Sequence, residues 1–171
     1  MPAYQEEVPP AVPRIYWKVV GGEFVSRDDS GTDIKANAIE GIFRGVHVRD
    51  DPGNVAAKVA PGKKVGVRIE DGDLHIIDFR PHICYASSFA SRLGTLVPGE
   101  TIKITAVPGR DPKVTFCHIL RPTGGDTWTE VPYSRIDSKD EKEREKLVLD
   151  VIFNYNMALG LEPATDLPAA A

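Results

Sequence analysis

The sequence predicts a mainly β protein built around a five-stranded Greek-key barrel. Three observations lead there: apolar and polar residues alternate ahead of Asp71-Gly72, they alternate again from Thr101 to Val107, and Gly41 and Gly45 interrupt the β-rich run from Ala36 to Gly53. Alternation marks a half-buried strand, and an Asp-Gly pair beside it marks a tight hairpin. Glycine inside a strand permits the bulge or bend that a small barrel needs at its corners.

The first thirteen residues carry four prolines and the pair Glu6-Glu7, which predicts a flexible arm over 1–13. Order begins near Arg14. Ile15–Val20 and Glu23–Ser26 read as two short strands turning at Gly21-Gly22, a hairpin extension ahead of the barrel. The long first barrel strand follows, bent at its glycines and closed by Asp51-Pro52-Gly53, and residues 54–64 read as a loop holding at most one helical turn.

In KKVGVRIEDGDLHIIDFRP, Val65, Val67 and Ile69 alternate with Lys64, Gly66, Arg68 and Glu70, giving the second strand of the barrel. Asp73 to Phe79 returns as the third, with its faces blurred by Ile76-Ile77. Phe89, Leu93 and Leu96 at helical spacing predict a short helix between strands 3 and 4, capped by Ser87 or Ser88 and stopped by Gly94 or Pro98. Ile102, Ile104 and Ala106 alternate along strand 4, Pro108 to Pro112 is turn chemistry, and KVTFCHILR is strand 5. Three strands, a helix and two strands is the element order of the oligonucleotide-binding (OB) barrel.

Residues 122–136 read as irregular or as a short extra hairpin. From Asp137 a C-terminal helix runs to Gly160, capped by Asp137 or Ser138, with Leu147, Val148, Val151, Ile152 and Tyr155 on one side. The expected organisation is thus an arm (1–13), a barrel domain with its N-terminal hairpin (14–136), a helix (137–160) and a disordered tail (161–171).

Of the 171 residues, 42% are hydrophobic and 27% charged, as in an ordinary globular protein. No apolar run has the ~20 residues needed to cross a bilayer, and the first residues lack a secretory pattern, so a cytoplasmic location (of the host, for a phage-encoded chain) and no membrane partner are the default expectations. The two cysteines, Cys84 and Cys117, have no CxxC partner and read as small buried hydrophobes. The net charge of −4 is unevenly spread: 36–121 carries 12 basic against 9 acidic residues, while 137–171 carries 4 against 8. The cationic part is the barrel.

No nucleophile with a base, no metal-ligand cluster and no phosphate-cradling loop is visible, so a non-enzymatic protein without cofactor or metal is expected. His47, His75, His82 and His118 stand singly, and His75 and Asp78, three apart in a strand, point to opposite faces. The barrel surface remains. OB barrels hold single strands with a basic groove for phosphates and aromatic faces for bases. Lys64 and Arg68 share one strand face; His75 and Phe79 lie on the next strand, with Arg80 just beyond; Arg44 and Arg49 lie on the bent first strand; and Lys103 faces outward from the fourth. Arg110 and Lys113 flank the last turn, and Tyr16, Trp17, Tyr85 and Trp128 are candidate stacking rings. The competing reading places Phe79 in the core with other phenylalanines, leaves Tyr85 and Trp17 balanced between core and wet surface, and makes the cations solubilising residues on a sheet.

SSFASRLGTLVPGETIKITAVPGRDPKVTFCHI, following the VGVRIEDGDLHIIDF hairpin, resembles the barrel core of phage-type single-stranded DNA-binding proteins with one OB fold. The similar pieces run from Gly41 to Ile119. The resemblance implies protection of single strands in replication or recombination with little sequence preference, DNA or RNA being left open. By position, it puts Arg44, Lys64, Arg68 and Phe79 on the binding strands. In place of the acidic tip closing on an apolar residue that the family carries, Asp166-Leu167-Pro168 is followed by three alanines. Recruitment of replication or recombination proteins, or a homo-oligomer, would then fall to the C-terminal helix through Leu147, Val151 and Ile152. The alternative function is an OB-type protein–protein adaptor.

Overall fold

The computed structural model describes residues 12–136 and 138–160. The predicted arm, the tail and the Asp137 cap therefore lie largely or wholly outside the described residues. Nine strands and two helices follow one another as β1 (Arg14–Val20), β2 (Glu23–Arg27), β3 (Asp33–Ala36), β4 (Ala38–Asp51), β5 (Gly62–Glu70), β6 (Leu74–Phe79), α1 (Cys84–Leu93), β7 (Thr101–Pro108), β8 (Thr115–Gly124), β9 (Thr127–Glu130) and α2 (Glu141–Ala158).

The strands form one open, mixed sheet in the order β3-β2-β1-β6-β5-β4-β7-β8-β9. This corrects the expected closed five-stranded barrel. The five strands anticipated for it are present and adjacent, as β6-β5-β4-β7-β8, but the free edge of β6 is taken by β1, which pairs with it in parallel from Arg14↔Leu74 to Lys18↔Asp78. The N-terminal hairpin is thus an integral part of the sheet. Its turn approaches the β7–β8 end instead: the Gly22 amide donates to Thr115 Oγ1 at 2.8 Å, and a Cβ on Gly22 would collide with Pro108. Gly21 and Gly22 both have positive φ (56° and 82°), as a two-residue hairpin turn of this hand requires.

β4 is the long bent strand, and its ladder with β5 shifts register between Phe43 and Gly45, so that Arg44 is the extra residue of a bulge. β5 and β6 form the hairpin expected around Asp71-Gly72. Helix α1 starts three or four residues before the serines expected to cap it; its N-cap is Ile83, without a side-chain cap, and Ser87 and Ser88 sit inside the helix. Ser88 Oγ instead donates to the Cys117 carbonyl and accepts from the Cys117 amide, fastening α1 to β8. Residues 54–59 form a turn closed by an Asn54↔Val59 bridge rather than a helical turn. One strand was not anticipated, β3, while β9 makes with β8 the short extra hairpin that was one of the two readings of residues 122–136.

The core lies between one side of the sheet and α1, with Phe24, Phe43, Val65, Val67, Ile69, Ile77, Phe89, Leu93, Ile102, Ile104 and Ile119 all fully or almost fully buried. Burying each such side chain contributes about 1.5–3 kcal/mol. Cys117 joins them, its thiol pushed up to about 12 by burial, whereas Cys84 is half-buried. Helix α2, capped by Asp140 accepting from the Lys142 amide, packs on α1 and β4. Val148 and Ile152 on α2 are fully buried there and Leu147 and Val151 partly so, which corrects the idea that Leu147, Val151 and Ile152 form a free docking surface.

Candidate nucleic-acid interface

Because Val65, Val67 and Ile69 fill the core, Lys64, Gly66 and Arg68 must face the other way. The ladders then define rows across the outward side of β4, β5, β6 and β1. One row runs Gly45, Arg68, Ile76, Tyr16; the next runs His47, Gly66, Asp78, Lys18; beyond it lie Arg49 and Lys64, and on the other side Glu70, Leu74 and Arg14.

Tyr16 is 50% exposed. Arg68, Lys18 and Arg14 are exposed beside it, and their side chains make no ion pair or hydrogen bond with the described residues. Adjacent strands are about 4.8 Å apart, so Arg68 and Tyr16, two strands apart on one row, have backbones about 10 Å from each other. An exposed ring bordered by cations on a sheet is the combination that holds a base and its phosphates.

Four of the other expected cations border this face but are engaged. Arg49 donates both terminal nitrogens to the two oxygens of buried Asp78 at 2.9 and 3.0 Å. Arg44 pairs with Glu70 at 2.6 Å, and Asp51 receives Arg80 at 2.8 Å and Lys64 at 3.9 Å. The Gly53 amide, with those two cations, holds the Asp51 carboxyl below its ordinary range. Lys103 lies on the far half of the sheet, 4.2 Å from the Trp128 ring centre in a cation–π contact, and Arg110 and Lys113 are exposed near the β7–β8 turn.

Four of the expected contact residues are inside the protein. Phe79 and Tyr85 stack edge-on at 5.2 Å in the core, so the core reading is the right one for both. Trp17 and His75 are buried as a pair, Trp17 Nε1–H donating to His75 Nδ1 at 2.9 Å. The reason lies in strand parity: His75 is opposite Ile69 and Trp17 opposite Ile77, both core positions. Asp78, three residues on from His75, does emerge on the opposite face.

His47, which stands singly in the sequence, occupies the row between that of Arg68 and that of Lys64. Its imidazole lies across Gly66, closer than any Cβ there would allow. Burial, with Arg68 and Arg49 nearby, holds its pKa down at about 4, so the ring is neutral at pH 7. Its Nδ1 is buried with no hydrogen-bond partner. The sequence signal was the glycine at position 66 in an otherwise regular strand.

Among the described residues no group of three or more His, Cys, Asp or Glu is placed to hold a metal ion, and no helix is long and apolar enough to cross a membrane. In comparisons with protein-family models, curated proteins and solved structures, nothing matches the chain. The likeness to phage-type single-stranded DNA-binding proteins gains no support from them.

Proposed function

We propose that this chain is a non-enzymatic protein that binds single-stranded nucleic acid, without base-sequence preference, on the outward face of β1, β6, β5 and β4, and so coats or protects single strands. The observation that carries the reading is the half-exposed ring of Tyr16 in row with Arg68 and flanked by Arg14 and Lys18. The adjacency of β6-β5-β4-β7-β8, with α1 between β6 and β7, adds to it, since OB barrels bind oligonucleotides on the face of their second and third strands.

A second reading, a protein–protein adaptor, draws on the pairing of Arg44, Arg49, Lys64 and Arg80 with carboxylates, which leaves the face less cationic than its residue count. Titrating fluorescent oligothymidylate at several salt concentrations separates the two. Binding at low salt that weakens linearly in log[salt], and loses about 1.4 from its slope when Arg68 and Lys18 are both changed to alanine, supports the nucleic-acid reading. No binding at any ionic strength leaves the adaptor.

A further inference from the structure

Helix α2 has a second side that the core does not use. Val148, Ile152 and Asn156 turn inward. Lys142, Lys146, Leu149, Phe153 and Met157 recur at three- and four-residue steps and so share another side, about a third of a turn away. Phe153 and Met157 are 47% and 51% exposed there, and Leu149 is half-buried. Lys142 and Lys146 are exposed, and their side chains make no ion pair or hydrogen bond with the described residues. This side is therefore apolar over its carboxyl half and cationic over its amino half, with exposed Asp150 at its margin.

The end of the helix directs the chain that follows. Gly160 adopts a φ of 74°, its amide donates to the Met157 carbonyl at 3.0 Å, and the Leu159 amide donates to the Tyr155 carbonyl at 3.2 Å. A left-handed glycine bonded in this way reverses the chain and brings the apolar residue after it back onto the last helical turn. That residue is Leu161, the first of the stretch LEPATDLPAAA. A helix rises about 1.5 Å per residue and a proline-containing extended chain about 3.1 Å, so each returning residue passes about two residues of helix. With Leu161 against Met157, Pro163 comes level with Phe153 and Asp166 falls within a residue of Lys146. The two carboxylates of the stretch, Glu162 and Asp166, have no basic residue among them to oppose that approach.

We infer that residues 161–167 fold back antiparallel along α2, with Leu161 and Pro163 covering Met157 and Phe153 and Asp166 pairing with Lys146. The occupant of this apolar side is thus a segment of the same chain. Its direction comes from Gly160, its apolar contacts from the burial that Phe153 and Met157 otherwise forgo, and its register from the match of acid to lysine. The inference is independent of what the sheet face binds.

The test follows oxidation of Met157 to its sulfoxide by dilute hydrogen peroxide, read by mass spectrometry on the full-length protein. Leu161→Asp should speed the reaction about 5-fold, the scale of a leucine partly withdrawn from its contact. A chain ending at Gly160 should react as fast as Leu161→Asp. Asp166→Lys should speed it about 2-fold, the scale of an exposed ion pair made repulsive, and adding Lys146→Asp should restore the slow rate. An unchanged rate in Leu161→Asp, or an Asp166→Lys effect that Lys146→Asp leaves in place, overturns the inference. Protection that disappears on dilution assigns the cover to a second copy of the chain and overturns it as well.

Discussion

Trp17 and His75, 58 residues apart in the chain, meet inside the protein, the indole N–H donating to imidazole Nδ1 at 2.9 Å. His75 Nε2 lies 2.8 Å from an Asp71 carboxylate oxygen. Because Nδ1 accepts from the indole, the imidazole proton resides on Nε2 and is donated to Asp71. The chain of bonds ties β1 to β6 and to the turn before it, along the one parallel pairing in the sheet. Trp17→Phe leaves Nδ1 buried and unpartnered, and a loss of about 1–3 kcal/mol in unfolding free energy is expected from urea denaturation.

The same burial decides what fluorescence reports. Trp17 is buried and Trp128 only partly so, beneath Lys103. In a Trp128→Phe variant, the remaining emission should be blue-shifted and unchanged by added oligothymidylate. Strong quenching there would contradict the buried position of Trp17.

Asp78→Asn tests whether ion pairing restrains the proposed face. The carboxylate that holds Arg49 in two hydrogen bonds becomes neutral while its shape is kept. Affinity for single strands should rise and the salt slope steepen by about 0.7, as one more cation becomes available to phosphate. Stability should fall by about 1–3 kcal/mol, because a charge-assisted pair at a buried site is lost. Unchanged affinity would separate this surface from nucleic acid.

His47 makes a pH-dependent contribution of known sign. Its pKa in the folded protein is about 4, against 6.5 for the free side chain, so between those values the unfolded chain binds the proton and the native state does not. Stability is therefore fully present above pH 6.5 and declines as pH falls toward 4. Thermal melts across this window should show a steeper fall for the unaltered protein than for His47→Gln. Equal pH dependence of the two melts would contradict the assignment.

Gly66→Ala should destabilise the protein by about 1–3 kcal/mol, since the new methyl meets the His47 ring. Combining it with His47→Ala should recover part of that loss, a coupling read from denaturation midpoints of the two single variants and the double.

Strands were legible in this sequence wherever neighbours in the chain are neighbours in space. The Asp71-Gly72 hairpin, the alternation of Ile102, Ile104 and Ala106, and the glycine-broken β4 all announce themselves locally. Parallel pairing of β1 with β6 carries no such signature: the local pattern alone favours a sheet that closes on itself, and gives no sign that Tyr16, Lys18 and Arg14 lie on the face of Arg68. Arg49, Lys64 and Arg80 do point away from the core, but their carboxylate partners, Asp78 and Asp51, come from other strands and are set by register. Trp17, His75, Phe79 and Tyr85 turned out to be interior because their parity depends on which strand lies opposite. The segment after β9 looks irregular in sequence and is shaped by its bonds to Ser91.

The pairing of β1 with β6 also sets a schedule for the chain as it is made. β5 and β6 can zip together as soon as both emerge, but β1 must wait for a partner 58 residues downstream. At about 5–20 residues per second, that is about 3–12 s during which the N-terminal hairpin has an unpaired edge and an unburied indole. Such an edge is a template for the wrong neighbour. Crowded translation, or pausing before His75 is synthesised, should therefore favour misassembly between nascent copies through β1, and a holdase that shields this first hairpin should raise the yield of folded protein.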